Sequence, residues 1–139
     1  MANYQTRFAC KLLVGNDDAR QRAIALHAEY RAKLEERNED VNFEIKTDRV
    51  SDAYSLIFTS LEGSGDPDQV VDFLARLGPA LGLTGRWGFV WANVCDRDRF
   101  DGFGGGAVIV KLETGEVAAS LDCESWLADT LGALAGTGR

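Results

Sequence analysis

The residues able to do chemistry gather in one stretch, Gly88 to Gly106, which reads GFVWANVCDRDRFDGFGGG. It places a thiol, Cys95, just before the alternating charges Asp96, Arg97, Asp98, Arg99 and Asp101, and it closes on Gly104, Gly105 and Gly106. A cysteine beside cations can ionise early and act as a nucleophile, and Arg97 and Arg99 are such cations. Nucleophilic catalysis also needs a positioned base. The only histidine is His27, inside a helical pattern and distant in sequence. The expectation is a buried structural thiol at Cys95 and a surface helix position for His27.

Three further chemistries fit the stretch in part. Asp96, Asp98 and Asp101 look like a truncated calcium loop, but EF-hand spacing needs an acid where Phe100 stands and a glutamate where Ala107 stands. Gly102, Gly104, Gly105 and Gly106 look like a phosphate-binding loop, which runs from strand into helix so that helix amides face the anion. Here they run into a strand-like segment, Ala107 to Leu112, with no Gly-Lys-Ser behind them. A bulge or a close chain crossing that only glycine allows accounts for them as well. Gly88-Phe89-Val90-Trp91 looks like the aromatic core of an RNA-recognition motif. The basic, glycine-containing start is missing, and the segment follows the second helix instead of preceding it. Trp87, Phe89 and Trp91 are then read as packing, covered by the last helix.

Cys10, Cys95 and Cys123 are odd in number and widely spaced, which fits neither a disulfide framework nor a CxxC motif. A reducing, cytoplasmic setting is the simplest. Zinc would need His27 to meet these distant cysteines, so no metal and no cofactor are expected.

The elements that must position these residues follow from periodicity. Phe8 to Val14 reads as a strand, ended by Gly15-Asn16. Asp17-Asp18 opens a helix to Arg37, with Ala23, Leu26, Tyr30 and Leu34 on one stripe. Phe43, Ile45 and Thr47 alternate with Glu44, Lys46 and Asp48 as a half-buried strand, and Ser51-Asp52 turns the chain into a strand from Tyr54 to Leu61. Asp66 caps a second helix, Pro67 is its first residue, and Gln69 completes a capping-box pattern. Val70, Phe73, Leu74 and Leu77, extending to Leu81, form its buried stripe; Gly78-Pro79 and Gly82 leave its end open. Trp87 to Cys95 is a strand, Asp96 to Gly106 a loop, and Ala107 to Leu112 with Val117 to Leu121 a hairpin. Asp122 caps a last helix whose stripe is Trp126 or Leu127, then Leu131 and Leu134, and the tail frays from Gly136.

The order is β-α-β-β-α-β, followed by a hairpin and a helix. The first six elements match a ferredoxin-like split βαβ topology, with two helices on one face of a four- to six-stranded antiparallel sheet. Residues 1–139 are expected to form a single α+β domain.

Gly88 to Ile109 resembles a block found in a family of small bacterial proteins, some carried on plasmids and prophages. The matching residues are Gly88, Phe89, Trp91, Ala92, Cys95, Arg97, Arg99, Asp101, Phe103, Gly104, Gly105, Gly106 and Ala107, without gaps; Asp98 and Gly102 depart from it. The resemblance implies no activity. It implies an accessory gene of a mobile element, one that acts against a host or rival system.

Composition sets the remaining bounds. The chain has 139 residues, 45% hydrophobic and 27% charged, so it can build a core. No apolar run approaches a membrane span, and Met1 to Arg7 lacks the pattern of a signal peptide. Fifteen Lys and Arg against 22 Asp and Glu give net −7, a surface that repels DNA and anionic membranes. The acids Glu62, Asp66, Asp68 and Asp72 crowd one segment, and five more lie between Glu113 and the end. Such a face can dock on a basic protein, imitate a phosphate backbone or simply keep the chain soluble.

These readings favour a non-enzymatic, acidic protein-binding module, with direct nucleic-acid binding not expected. Its binding residues would be Arg97, Arg99, Asp101 and Phe103, with Asp66, Asp68 and Asp72 as a second face. The alternative is a small ligand binder or enzyme with an anion site built from Trp91, Cys95, Arg97, Arg99, Asp101 and Gly104 to Gly106. One of the two arginines is expected to be tied to Asp101 or to a backbone carbonyl, and the other to serve binding. A closed cavity at the loop would favour the ligand, and a flat charged surface the partner.

Overall fold

The computed structural model describes residues 2–47 and 54–137. The expected turn at Ser51-Asp52, and Asp48 of the strand before it, lie outside the described residues. The fold is α+β, with three helices and two antiparallel sheets. Its elements in chain order are β1 (Tyr4–Arg7), β2 (Ala9–Leu13), α1 (Asp17–Glu35), β3 (Phe43–Lys46), β4 (Ser55–Ser60), α2 (Pro67–Leu81), β5 (Arg86–Cys95), β6 (Gly104–Lys111), β7 (Val117–Asp122) and α3 (Cys123–Thr137).

In place of one sheet there are two, ordered β1-β5-β6-β7 and β2-β4-β3. The N-terminal segment belongs to both. Tyr4 to Arg7 pair with Ala92 to Cys95, whereas Ala9 to Leu13 pair with Ser55 to Thr59. The change of partner falls at Phe8, which is buried and still bonded to Ser60 on both sides of its peptide. β1 has no apolar alternation (its sequence is YQTR), which is why hydrophobic periodicity does not reveal it.

α1 carries the first correction. Asn16, not Asp17, caps it, accepting from the Ala19 amide at 2.8 Å. Its buried stripe is Ala23, His27, Tyr30 and Leu34, and Leu26 is only half-buried. His27 is therefore a core residue and not a surface one. Its position four residues after Ala23 and three before Tyr30 puts it mid-stripe. Its ring meets Phe43 edge-on at 4.9 Å and Phe73 at 5.8 Å, and Nε2 lies 3.2 Å from the Phe43 carbonyl oxygen. That contact satisfies the polar group, and burial holds the imidazole below its ordinary pKa.

α2 buries Val70, Phe73, Leu74 and Leu77. Asp66 caps it by accepting from the Asp68 amide at 3.0 Å. Gln69 does not close a capping box. It reaches outward instead, accepting from the Asn42 amide at 2.7 Å and donating to the Asp40 carbonyl at 2.8 Å, and so ties α2 to the segment before β3. The helix runs through Pro79 to Leu81 and stops at Gly82, whose φ of 65° is the left-handed conformation of a helix end.

The core is one cluster shared by both sheets and both of these helices. Tyr30, Phe43, Phe58 and Phe73 stack at tilted or edge-on angles within it, and Trp87, Phe89 and Trp91 extend the aromatic line along β5. These three residues pack against the core and are not covered by α3, whose main neighbours are β6 and β7 at the far edge of its sheet.

Candidate functional site

The loop between β5 and β6 is rooted on β1. Asp96 and Asn3 bond reciprocally: the Asn3 amide donates to Asp96 Oδ1 at 2.7 Å, and the Asp96 amide to the Asn3 carbonyl at 3.2 Å. Tyr4 Oη donates to Asp101 Oδ1 at 3.1 Å. Partial desolvation first, and then this bond, raise the Tyr4 phenol above its ordinary pKa. Inside the loop the Arg99 amide donates to the Arg97 carbonyl at 2.9 Å and the Gly102 amide to the Arg99 carbonyl at 3.0 Å. Gly102 is buried against Cys95; a Cβ there would lie 2.7 Å from the cysteine Cβ, so only glycine lets the chain close.

The rooting leaves the tip in water. Arg97 and Arg99 are exposed, and neither forms an ion pair with Asp101, whose partner is Tyr4. Phe103 is 49% exposed and Phe100, at the turn, is 112% exposed. Sequence reasoning passed over Phe100 except as an obstacle to calcium. A large apolar residue between Arg99 and Asp101 in a polar loop was the available signal.

Trp91 and Gly104 to Gly106 stand apart from this tip. The glycines are not loop residues: Gly104, Gly105 and Gly106 open β6, opposite Asn93, Ala92 and Trp91. A Cβ on Gly106 would lie 2.5 Å from the Trp91 ring, and one on Gly105 2.3 Å from the Trp91 carbonyl oxygen. The run of glycines is what close chain approach requires. Trp91 is half-buried, with its ring 5.9 Å from Phe89.

The expected sites therefore divide. Arg97, Arg99, Asp101 and Phe103 share the exposed loop; Cys95 is its half-buried root; Trp91 and the glycines belong to the sheet. Of the second acidic face, Asp66 caps α2 and Asp72 accepts from Tyr30 Oη at 2.9 Å. Asp68 is exposed, beside a crevice of about 270 Å³ between α2 and β7 that Trp91, Val108 and Leu121 also line.

Catalytic geometry is not assembled around the thiols. Cys95 Sγ has Asp96 Oδ1 at 3.8 Å, while His27 is held in the core by Phe43. Burial pushes the Cys10 thiol up to about 12, far from a working nucleophile. Among the described residues no group of three or more His, Cys, Asp or Glu could hold a metal ion, and no helix is long and apolar enough to cross a membrane. The depression beside the loop, about 490 Å³ and lined by Tyr4, Thr6, Ser64, Asn93, Asp101 and Glu124 among others, opens to solvent. Compared with protein-family models, curated proteins and solved structures, the chain matches none.

Proposed function

We propose that the chain is a non-enzymatic protein-binding module that engages its partner through the β5–β6 loop. The observation that carries this reading is Phe100, which holds its whole ring in solvent at the tip of a loop tied through Asp96 to Asn3 and through Asp101 to Tyr4. Arginine and aromatic residues dominate the energy of protein interfaces, and Arg97, Arg99, Phe100 and Phe103 lie together here. A rooted loop loses little conformational freedom on binding, so less of the contact energy is spent on ordering it. The open depression beside the loop fits a partner surface better than an enclosed small molecule.

The strand pairing supports a ferredoxin-like reading of the first six elements. Taking β1 and β2 as one strand, the order β5, β1/β2, β4, β3 is that of a split βαβ sheet. Free Cys10, Cys95 and Cys123 are consistent with a reducing cytoplasm. An acidic module of this kind, encoded by a mobile element, would act as an inhibitor of a host or rival protein.

The test is affinity capture from bacterial lysate with the wild-type chain, the Phe100→Ser variant, an Arg97→Ala/Arg99→Ala variant, and a Glu29→Ala control on α1. The expected result is a protein held by wild type and control and lost from both loop variants. Equal capture by all four would reject the loop. A thermal shift with small anions, lost in the arginine variant, would favour the alternative anion site.

A further inference from the structure

α3 is an ordered helix with almost nothing over it. Of its residues from Cys123 to Gly136, all are exposed except the half-buried Thr130. Fifteen residues that include Gly132 and Gly136 form a marginal helix in water unless an apolar face is buried. The face exists. At 100° per residue, Cys123, Leu127, Leu131 and Leu134 fall on one stripe with Trp126 along its side, while Ser125, Asp129, Gly132 and Gly136 fall opposite.

We propose that this stripe packs against the same stripe of a second copy about a two-fold axis, so that the protein is a homodimer joined through α3. Three observations select a second copy. The first is area: Trp126, Leu127, Leu131 and Leu134 are 54, 52, 58 and 62% exposed. That amounts to roughly 500 Å² of apolar surface, close to the apolar share of the ~800 Å² each partner gives a standard interface. The second is charge. Asp129 lies on the side away from the stripe, and Glu124 flanks it only at the first turn, so an antiparallel crossing sets each Glu124 against the uncharged last turns of the other copy and opposes no carboxylates. The third weighs against one competing self-contact, the pairing of β7 with its own copy. β7 is a free sheet edge. Antiparallel pairing of two β7 strands about Ala119 would set Glu116 against Asp122 of the other copy, and like charges directly opposite are destabilising. A two-fold contact uses one patch on both chains, and a single apolar helix face meets that requirement.

The dimer does not rest on the loop reading, but it would present two β5–β6 loops from one particle, and paired sites raise avidity where a partner has two copies of its own surface. Sedimentation equilibrium of the full chain at 1–100 µM tests it, those concentrations being on the order of a moderate dimer affinity. The expected mass is twice 15.1 kDa for the wild type and 15.1 kDa for Leu127→Asp/Leu131→Asp. Should that variant fail to fold, Leu131→Ala should still raise the dimer dissociation constant at least about tenfold. Phe100→Ser should leave the dimer intact. A monomeric wild type, a dimer that survives both α3 changes, or a dimer lost in Phe100→Ser would each overturn the proposal.

Discussion

Tyr4 Oη lies 3.1 Å from Asp101 Oδ1, and this hydrogen bond fastens the first strand of the chain to the turn that carries Phe100. Together with the reciprocal Asn3–Asp96 pair it makes a loop that is open to water and still rooted at both ends. The loop's position thus depends on residues far away in sequence.

Tyr4→Phe should loosen the loop without unfolding the domain. The bond is exposed and therefore weak, so melting should move by no more than about 4 °C. Trypsin cleavage after Arg97 and Arg99 should become several-fold faster. Unchanged cleavage would mean that the Tyr4 bond does not hold the loop.

Gly105→Ala should be severely destabilising. Gly105 has φ of 141°, and a Cβ there would sit 2.3 Å from the Trp91 carbonyl oxygen. The expected loss in urea unfolding is more than about 2 kcal/mol. Gly132→Ala on α3 meets nothing within 4 Å and should be neutral or stabilise by up to about 1 kcal/mol. Similar effects at the two positions would contradict the strand assignment of the glycines.

Val70, Phe73, Leu74 and Leu77 were legible as the buried stripe of α2 because helical spacing and burial coincide there. Asp122 was legible as a cap, and it accepts from the Ser125 amide at 2.9 Å. Leu127 and Leu131 have the same spacing yet stay exposed, because periodicity records a face and not what covers it. Gly104 to Gly106 read as loop by composition, whereas their strand conformation follows from the chain they press against. The loop residues were found from their types, but Phe100 and the tether at Tyr4 depend on tertiary placement.

Stability should fall as pH drops below the ordinary histidine range. The His27 pKa is lowered chiefly by burial, so the unfolded chain takes up a proton near pH 6.5 that the folded chain refuses. Stability is fully present above that value and declines as pH falls toward the lower folded pKa, by at most about 1.4 kcal/mol per pH unit. Because His27 is the only histidine, His27→Gln should flatten urea-unfolding stability between pH 7 and 5.5. A slope that persists in the variant would assign the effect elsewhere.

EDTA should leave the melting temperature unchanged. Asp96 and Asp101 spend carboxylate oxygens on Asn3 and Tyr4. A fall of more than about 5 °C, larger than a 1 kcal/mol effect gives in a domain of this size, would restore the calcium reading of Asp96, Asp98 and Asp101.

The most direct measurement of the central claim is site-specific photo-crosslinking in bacterial cells, with a benzophenone side chain placed at position 100 and, as control, at exposed position 29 on α1. Position 100 should give one discrete heavier adduct containing a second, different protein, and position 29 should give none. No adduct at 100, or the same adduct at both positions, would contradict a partner-binding role for the β5–β6 loop.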